Sequence, residues 1–232
     1  MNNIYRKRRF FVLFASLIFL IIAIMNNIQT FNTTTKLNDR NGVSATRLAI
    51  SVLKTLPLKG RAPKTNYSRQ QFGSEWSEIN GCDKRNIILN RDLSNVVVDE
   101  ECNVVSGILN DPYTGKTIKF IRGSKTSNDI QIDHVVALSD AWQKGAQQLT
   151  TKERVTLAND SLELLAVDGS ANQQKSDGDA ATWLPSNKSF RCEYIARQIA
   201  IKQKYKLWVT SAEHNVMENI LNKCPDQLLP KS

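Results

Sequence analysis

The stretch IQIDHVVALSDAW, residues 130–142, sets the reading of the whole chain. Ile130 and Ile132 alternate with polar neighbours, the period of a half-buried strand, which makes Asp133 and His134 adjacent residues of one extended segment. Their chemistry is complementary. A carboxylate can hold a hard divalent cation through oxygen, while a neutral imidazole, with an ordinary pKa of about 6.5, can take a proton from water. Neighbours on a strand point to opposite faces, so both can serve one site only if the strand ends or bends before Ala137. An Asp-His pair is common by chance, and taken alone it is better explained by a structural histidine.

Working outward, LELLAVDG (162–169) reads as a second strand closing in a turn, and helical material fills the interval. Thr150 and Glu153 have the spacing of a capping box, in which a threonine oxygen accepts an N–H and the glutamate returns the bond, and Thr210 with Glu213 repeats it. The second box begins a last helix with Val216, Met217, Ile220 and Leu221 on one face, and Phe190 to Tyr205 is helical before it. Upstream, CNVVSGIL and KTIKFIRG flank NDPYTG, whose Asn, Asp, Pro and Gly form turns, so a β-hairpin is predicted between Cys102 and Gly123. A short helix from about Thr46 stops at Pro57. No internal repeat is present.

The N-terminus is different in kind. MNNIYRKRR carries four positive charges and no acid, and residues 10–25, FFVLFASLIFLIIAIM, contain no charge or proline. That is an export signal, read as residues 1–28, with the rest outside the membrane by the positive-inside tendency. Met25-Asn-Asn-Ile28 is a poor cleavage site, so an uncleaved signal anchor is favoured over a removed signal peptide. Residues 29–45, polar and Thr/Asn-rich, form a flexible linker to a domain at 46–232.

Four cysteines, Cys82, Cys102, Cys192 and Cys224, fit an oxidising compartment, and no C-x-x-C pair supports zinc. Four cysteines allow three pairings; the pairing taken is Cys82 with Cys102 and Cys192 with Cys224. The net charge is +9, and setting aside the four N-terminal cations leaves 27 basic against 22 acidic residues. A modestly basic surface suits a polyanion without demonstrating one. The four tryptophans are scattered singly and read as core, and His214 as exposed.

IDHVVALSDAW, LLAVDG and NQQKSDGDAATWLP, in that order, resemble the HNH nucleases whose domain forms the C-terminal part of GmrSD-type restriction endonucleases. The resemblance runs from about Phe72 to Cys224 and takes in GCDKRN, LNRDL, DPYTGK, RCEYIARQ and KYKLWVT. It implies an α+β domain with an HNH-type ββα-metal core at about 130–184, flanked by an added β-hairpin and C-terminal helices. It further implies an endonuclease hydrolysing phosphodiester bonds in nucleic acid, DNA more than RNA, with little sequence preference. Asp133 and Asn172 would be ligands of one divalent metal ion, Mg²⁺ before others because the donors are hard oxygens, and His134 the general base. Glu163 departs from the pattern, standing where related sites carry an asparagine that orients the base; as a catalytic candidate, its carboxylate would hold the imidazole by a charge-assisted hydrogen bond or else point to solvent. Lys175 and Arg85 are candidates to grip phosphate. The membrane is a further partner through the N-terminus, and nothing indicates an immunity protein. A catalytically silent binding module and a hydrolase of another phosphodiester remain the alternatives.

Overall fold

A computed structural model describes residues 48–123 and 127–231; the hydrophobic segment and the linker fall outside them. Arg47–Ser232 forms one compact unit of mixed α+β structure. Among the described residues no helix is long and apolar enough to cross a membrane.

The centre is a two-stranded antiparallel ribbon, β6 (Ile130–His134) against β7 (Leu164–Asp168), with Asp133 opposite Leu165 and His134 opposite Leu164. Helix α5 (Gly169–Lys175) follows β7 directly, because Asp168 accepts from the Ala171 N–H at 2.7 Å and so starts it. Gly169 is required at this junction. A Cβ there would lie 2.1 Å from the Asn128 carbonyl oxygen, and the Gly169 N–H bonds the Asp129 carbonyl at 2.8 Å. The ribbon is thus clamped to its helix by backbone.

Two strands alone are marginal in water, and the outer edge of β7 shows how this ribbon is supported. Its three outward N–H groups are all taken: Leu164 donates to the Asp160 carbonyl, Ala166 to Asp92 Oδ2 at 2.8 Å and Asp168 to Asp111 Oδ1 at 2.8 Å. Asp92 ends α2 (Lys84–Asp92), and its neighbour Arg91 donates to the Leu164 carbonyl at 2.7 Å.

The hairpin expected between Cys102 and Gly123 is β4 (Val104–Asn110) with β5 (Thr117–Ile121), pairing Leu109 with Ile118. It also carries a strand the sequence reading did not find, β3 (Ser94–Val98), on its other side. That strand is largely exposed, so it has no alternation of apolar and polar residues to reveal it. A two-residue pair, β1 (Glu78–Ile79) and β2 (Cys82–Asp83), precedes α2.

The remaining helices are α1 (Ala49–Leu53), α3 (Leu138–Gln143), α4 (Thr151–Ala158), α6 (Arg191–Lys204) and α7 (Ser211–Leu221). Both capping boxes form reciprocally, at Thr150/Glu153 and Thr210/Glu213. Disulfides join Cys82 to Cys102, Cα atoms 5.4 Å apart, and Cys192 to Cys224, Cα atoms 6.5 Å apart. The second ties α6 to the end of α7. In the chain-entropy picture, loops of 20 and 32 residues stabilise the fold by about 3 kcal/mol each.

Glu213 does more than cap. With Asp140 and Asp179 it surrounds the fully buried Lys144 ammonium, at 2.7, 2.8 and 2.8 Å; the ammonium donates hydrogen bonds to Glu213 and Asp179 and forms an ion pair with Asp140. Lys202 and Arg61 complete a cluster of three cations and three anions. Burial alone would raise the Asp179 carboxyl, but Lys144 and Arg61 outweigh it and hold it down at about 2. An acid depressed on folding adds stability above its unfolded pKa and loses it as pH falls through the folded value. Stability in urea is therefore expected to drop by about 2 kcal/mol for this group between pH 4 and pH 2. Asp179→Asn should flatten that dependence, and an unaltered pH profile in the variant would contradict the assignment.

Candidate functional site

A cleft of about 600 Å³ opens at the end of β6, and Asp133, His134 and Asn172 all line it. The strand stops at His134, which frees neighbouring side chains from opposite faces and lets both reach one cavity. Asn172 and Lys175, three residues apart on α5, lie on one helix face. Asn172 looks into the cleft and donates to Gln131 Oε1 at 3.0 Å, while Lys175 lies beneath, fully buried.

Asp133 is held from two sides. Lys175 Nζ donates to its Oδ1 at 2.9 Å and to the His134 carbonyl at 2.8 Å, and the Tyr113 hydroxyl donates to Oδ2. Tyr113 arrives there through local turn chemistry. Asp111 Oδ2 accepts the Thr114 N–H at 2.7 Å and so shapes the DPYTG turn, while Oδ1 fixes that turn to Asp168 of β7. The Tyr113 ring packs edge-on against Tyr194, centroids 5.7 Å apart. Burial pushes the Asp133 carboxyl up, Lys175 and Tyr113 pull it down, and burial prevails.

His134 is seated by the end of α4. The last carbonyls of a helix lack an internal partner, and that of Ala158 faces His134 Nε2 at 3.0 Å. A carbonyl only accepts, so Nε2 carries the proton and Nδ1 keeps the lone pair. Trp76 stacks on the ring, planes 7° apart and centroids 5.9 Å apart. Asn159, the residue after α4, accepts the Ser77 N–H at 3.0 Å and sets the backbone beside that tryptophan. Burial depresses the imidazole to about 3, with the Arg69 and Lys175 charges assisting. The ring is neutral across the ordinary pH range, a much weaker base than its composition implies.

Two sequence expectations need revision. Glu163 does not orient the imidazole: it is fully buried, its Oε2 accepts the Val136 N–H at 3.2 Å, and no hydrogen bond joins it to His134 among the described residues. The orienting acceptor is the backbone of Ala158. Burial pushes the Glu163 carboxyl well above its ordinary value. Lys175 is no surface grip on phosphate, because its ammonium is enclosed on Asp133. Arg85 does line the cleft, half-buried, and among the described residues it donates to the Ser127 and Ile130 carbonyls at 3.3 Å. Two residues escaped the sequence reading: Trp76, taken as core, and Arg69, which carries no motif.

Residues 83–220 match the family described as GmrSD restriction endonucleases, C-terminal domain. That is more than half of the chain, and the chain belongs to this family. It is also 35% identical over 206 residues to an uncharacterized secreted protein of Arthroderma benhamiae, an alignment covering 88% of this chain and 98% of that protein.

The ion pair beneath the cleft is open to test. Lys175→Met would leave a buried carboxyl without its cation and is expected to lower stability by about 3–5 kcal/mol in urea with chelator present. An unchanged midpoint would mean that other contacts hold Asp133.

Proposed function

We propose that this protein is an exported endonuclease of the HNH type, hydrolysing phosphodiester bonds in nucleic acid, DNA before RNA, with one divalent cation, Mg²⁺ before others. The observation that carries the reading is the seating of His134. With Nε2 committed to Ala158, Nδ1 is the ring's basic atom, and His134 lines the cleft that Asp133 and Asn172 also line.

The donor set fits a single, loosely held cation. Asn172 Oδ1 accepts no hydrogen bond among the described residues, and each Asp133 oxygen, with one side-chain donor, retains lone-pair capacity. All are hard oxygens, and among the described residues no cluster of three His, Cys, Asp or Glu side chains provides a closed cage. Lys175, 2.9 Å from Asp133 Oδ1, repels a second positive charge and weakens its binding. When bound, the cation would neutralise the phosphate and the departing oxygen.

The chain's own groups do the rest. His134 Nδ1 takes the proton of the attacking water, and the Ala158 carbonyl keeps the ring in the tautomer that can do so. An imidazole held near 3 is by itself a poor base. A phosphate beside it supplies the negative charge that raises its proton affinity, so the base gains strength as substrate arrives. Export rests on the N-terminal signal, the two disulfides and the secreted relative.

A second reading, a catalytically silent binding module, is favoured by one observation: an ammonium already occupies Asp133. Supercoiled plasmid with Mg²⁺ separates the two. The full chain is expected to nick it, with chelator abolishing cleavage and His134→Ala slowing it by about 100-fold or more. Cleavage by His134→Ala at the wild-type rate would refute the assigned base. Absence of cleavage by wild type under several divalent metals would favour the silent module.

A further inference from the structure

Four cations line the cleft or lie beneath it, and they divide by partner. Lys175 is paired with Asp133, and Lys64 with Asp177 at 3.1 Å. Arg122, which acts on Arg85 electrostatically, is bonded to Asn86 and the Val104 carbonyl and does not line the cleft. Arg69 and Arg85 remain. Both line the cleft, and neither forms an ion pair among the described residues. Arg69 is exposed, on a turn of 3₁₀ helix (Arg69–Phe72) anchored by the buried Phe72. A second cavity of about 80 Å³ shares Arg69, Trp76, His134 and Leu138 with the first. The cleft therefore presents two guanidinium groups that form no ion pair among the described residues, beside His134.

Guanidinium matches phosphate by paired N–H donors, and two such groups in one cleft match a polyanionic strand better than a single ester. We propose that Arg69 and Arg85 bind two phosphates of one nucleic-acid strand laid across His134, and that the stretch 64–76, which precedes the family-matched region, forms one wall of the substrate cleft. Arg69 takes the phosphate nearer His134, since it alone of the two borders both cavities with that ring. A substrate needs phosphates on either side of the scissile bond, so oligonucleotides are bound and mononucleotide esters are not.

This rests on the nuclease reading but is tested by binding, so the two can fail separately. The full chain carrying His134→Ala is titrated with a fluorescent single-stranded dodecanucleotide between 50 and 300 mM salt, on the order of the range where counterion release dominates. Adding Arg69→Gln or Arg85→Gln is expected to weaken binding about fivefold or more and to lower the log–log salt slope by about 0.7 each. Lys223→Gln, exposed and remote from the cleft, should leave both unchanged. Circular dichroism melting checks that the exposed Arg69 variant stays folded. A wild-type slope in Arg69→Gln, or an equal loss in Lys223→Gln, would overturn the proposal even if plasmid is cleaved. Arginine-dependent binding by a chain that cleaves nothing would uphold it while the hydrolytic reading fell.

Discussion

The site depends on one buried ammonium. Lys175 joins the last turn of α5 to the end of β6 by binding both the side chain of Asp133 and the main chain of His134. Two consecutive residues are thereby fixed at the point where the strand releases its alternation, which is what lets an acid and an imidazole share a cleft. Placing a lysine there is unfavourable unless it is fully satisfied, and the carboxylate and carbonyl at 2.9 and 2.8 Å provide that satisfaction. Because Asn172 is one turn earlier on the same helix, its position is set by the same contact.

Around that point the domain supplies rigid backing from sequence-distant parts. The DPYTG turn delivers Tyr113 to one face of Asp133, and α4 delivers a terminal carbonyl to His134. The length of α4 matters here: its capping box fixes where it starts, and the carbonyl at its other end falls against the imidazole. Behind the helices, the cluster about Lys144 locks α3 to α7 and to the loop carrying Asp179, so the segment after α5 is not free to move away.

Much of this was legible in the chain. The strands of the ribbon, the hairpin and both capping boxes were marked by alternation, turn residues and cap spacing, because each is a local property, while the helix after the ribbon was implied by the resemblance. Asp133, His134 and Asn172 could be named from a resemblance, and their shared cavity follows from where β6 ends. What escaped was tertiary. No spacing tells that Lys175 turns inward, that Glu163 points to a backbone N–H rather than to the ring, or that a helix carbonyl replaces it. Trp76 looked like any core tryptophan, and Arg69 like any solvated arginine; only the folded cleft distinguishes them. The exposed strand Ser94–Val98 lacked the pattern that burial imposes.

The side chains along β7 have a further implication. With Asp92, Asp111 and the Asp160 carbonyl occupying all its outward donors, the ribbon offers no template on that flank for a foreign strand. A polypeptide partner, whether inhibitor, neighbour copy or aggregating chain, is thus barred from zipping on through backbone pairing there. On that flank a partner can engage the domain only through loops and side chains, which keeps the ribbon beneath the cleft two-stranded.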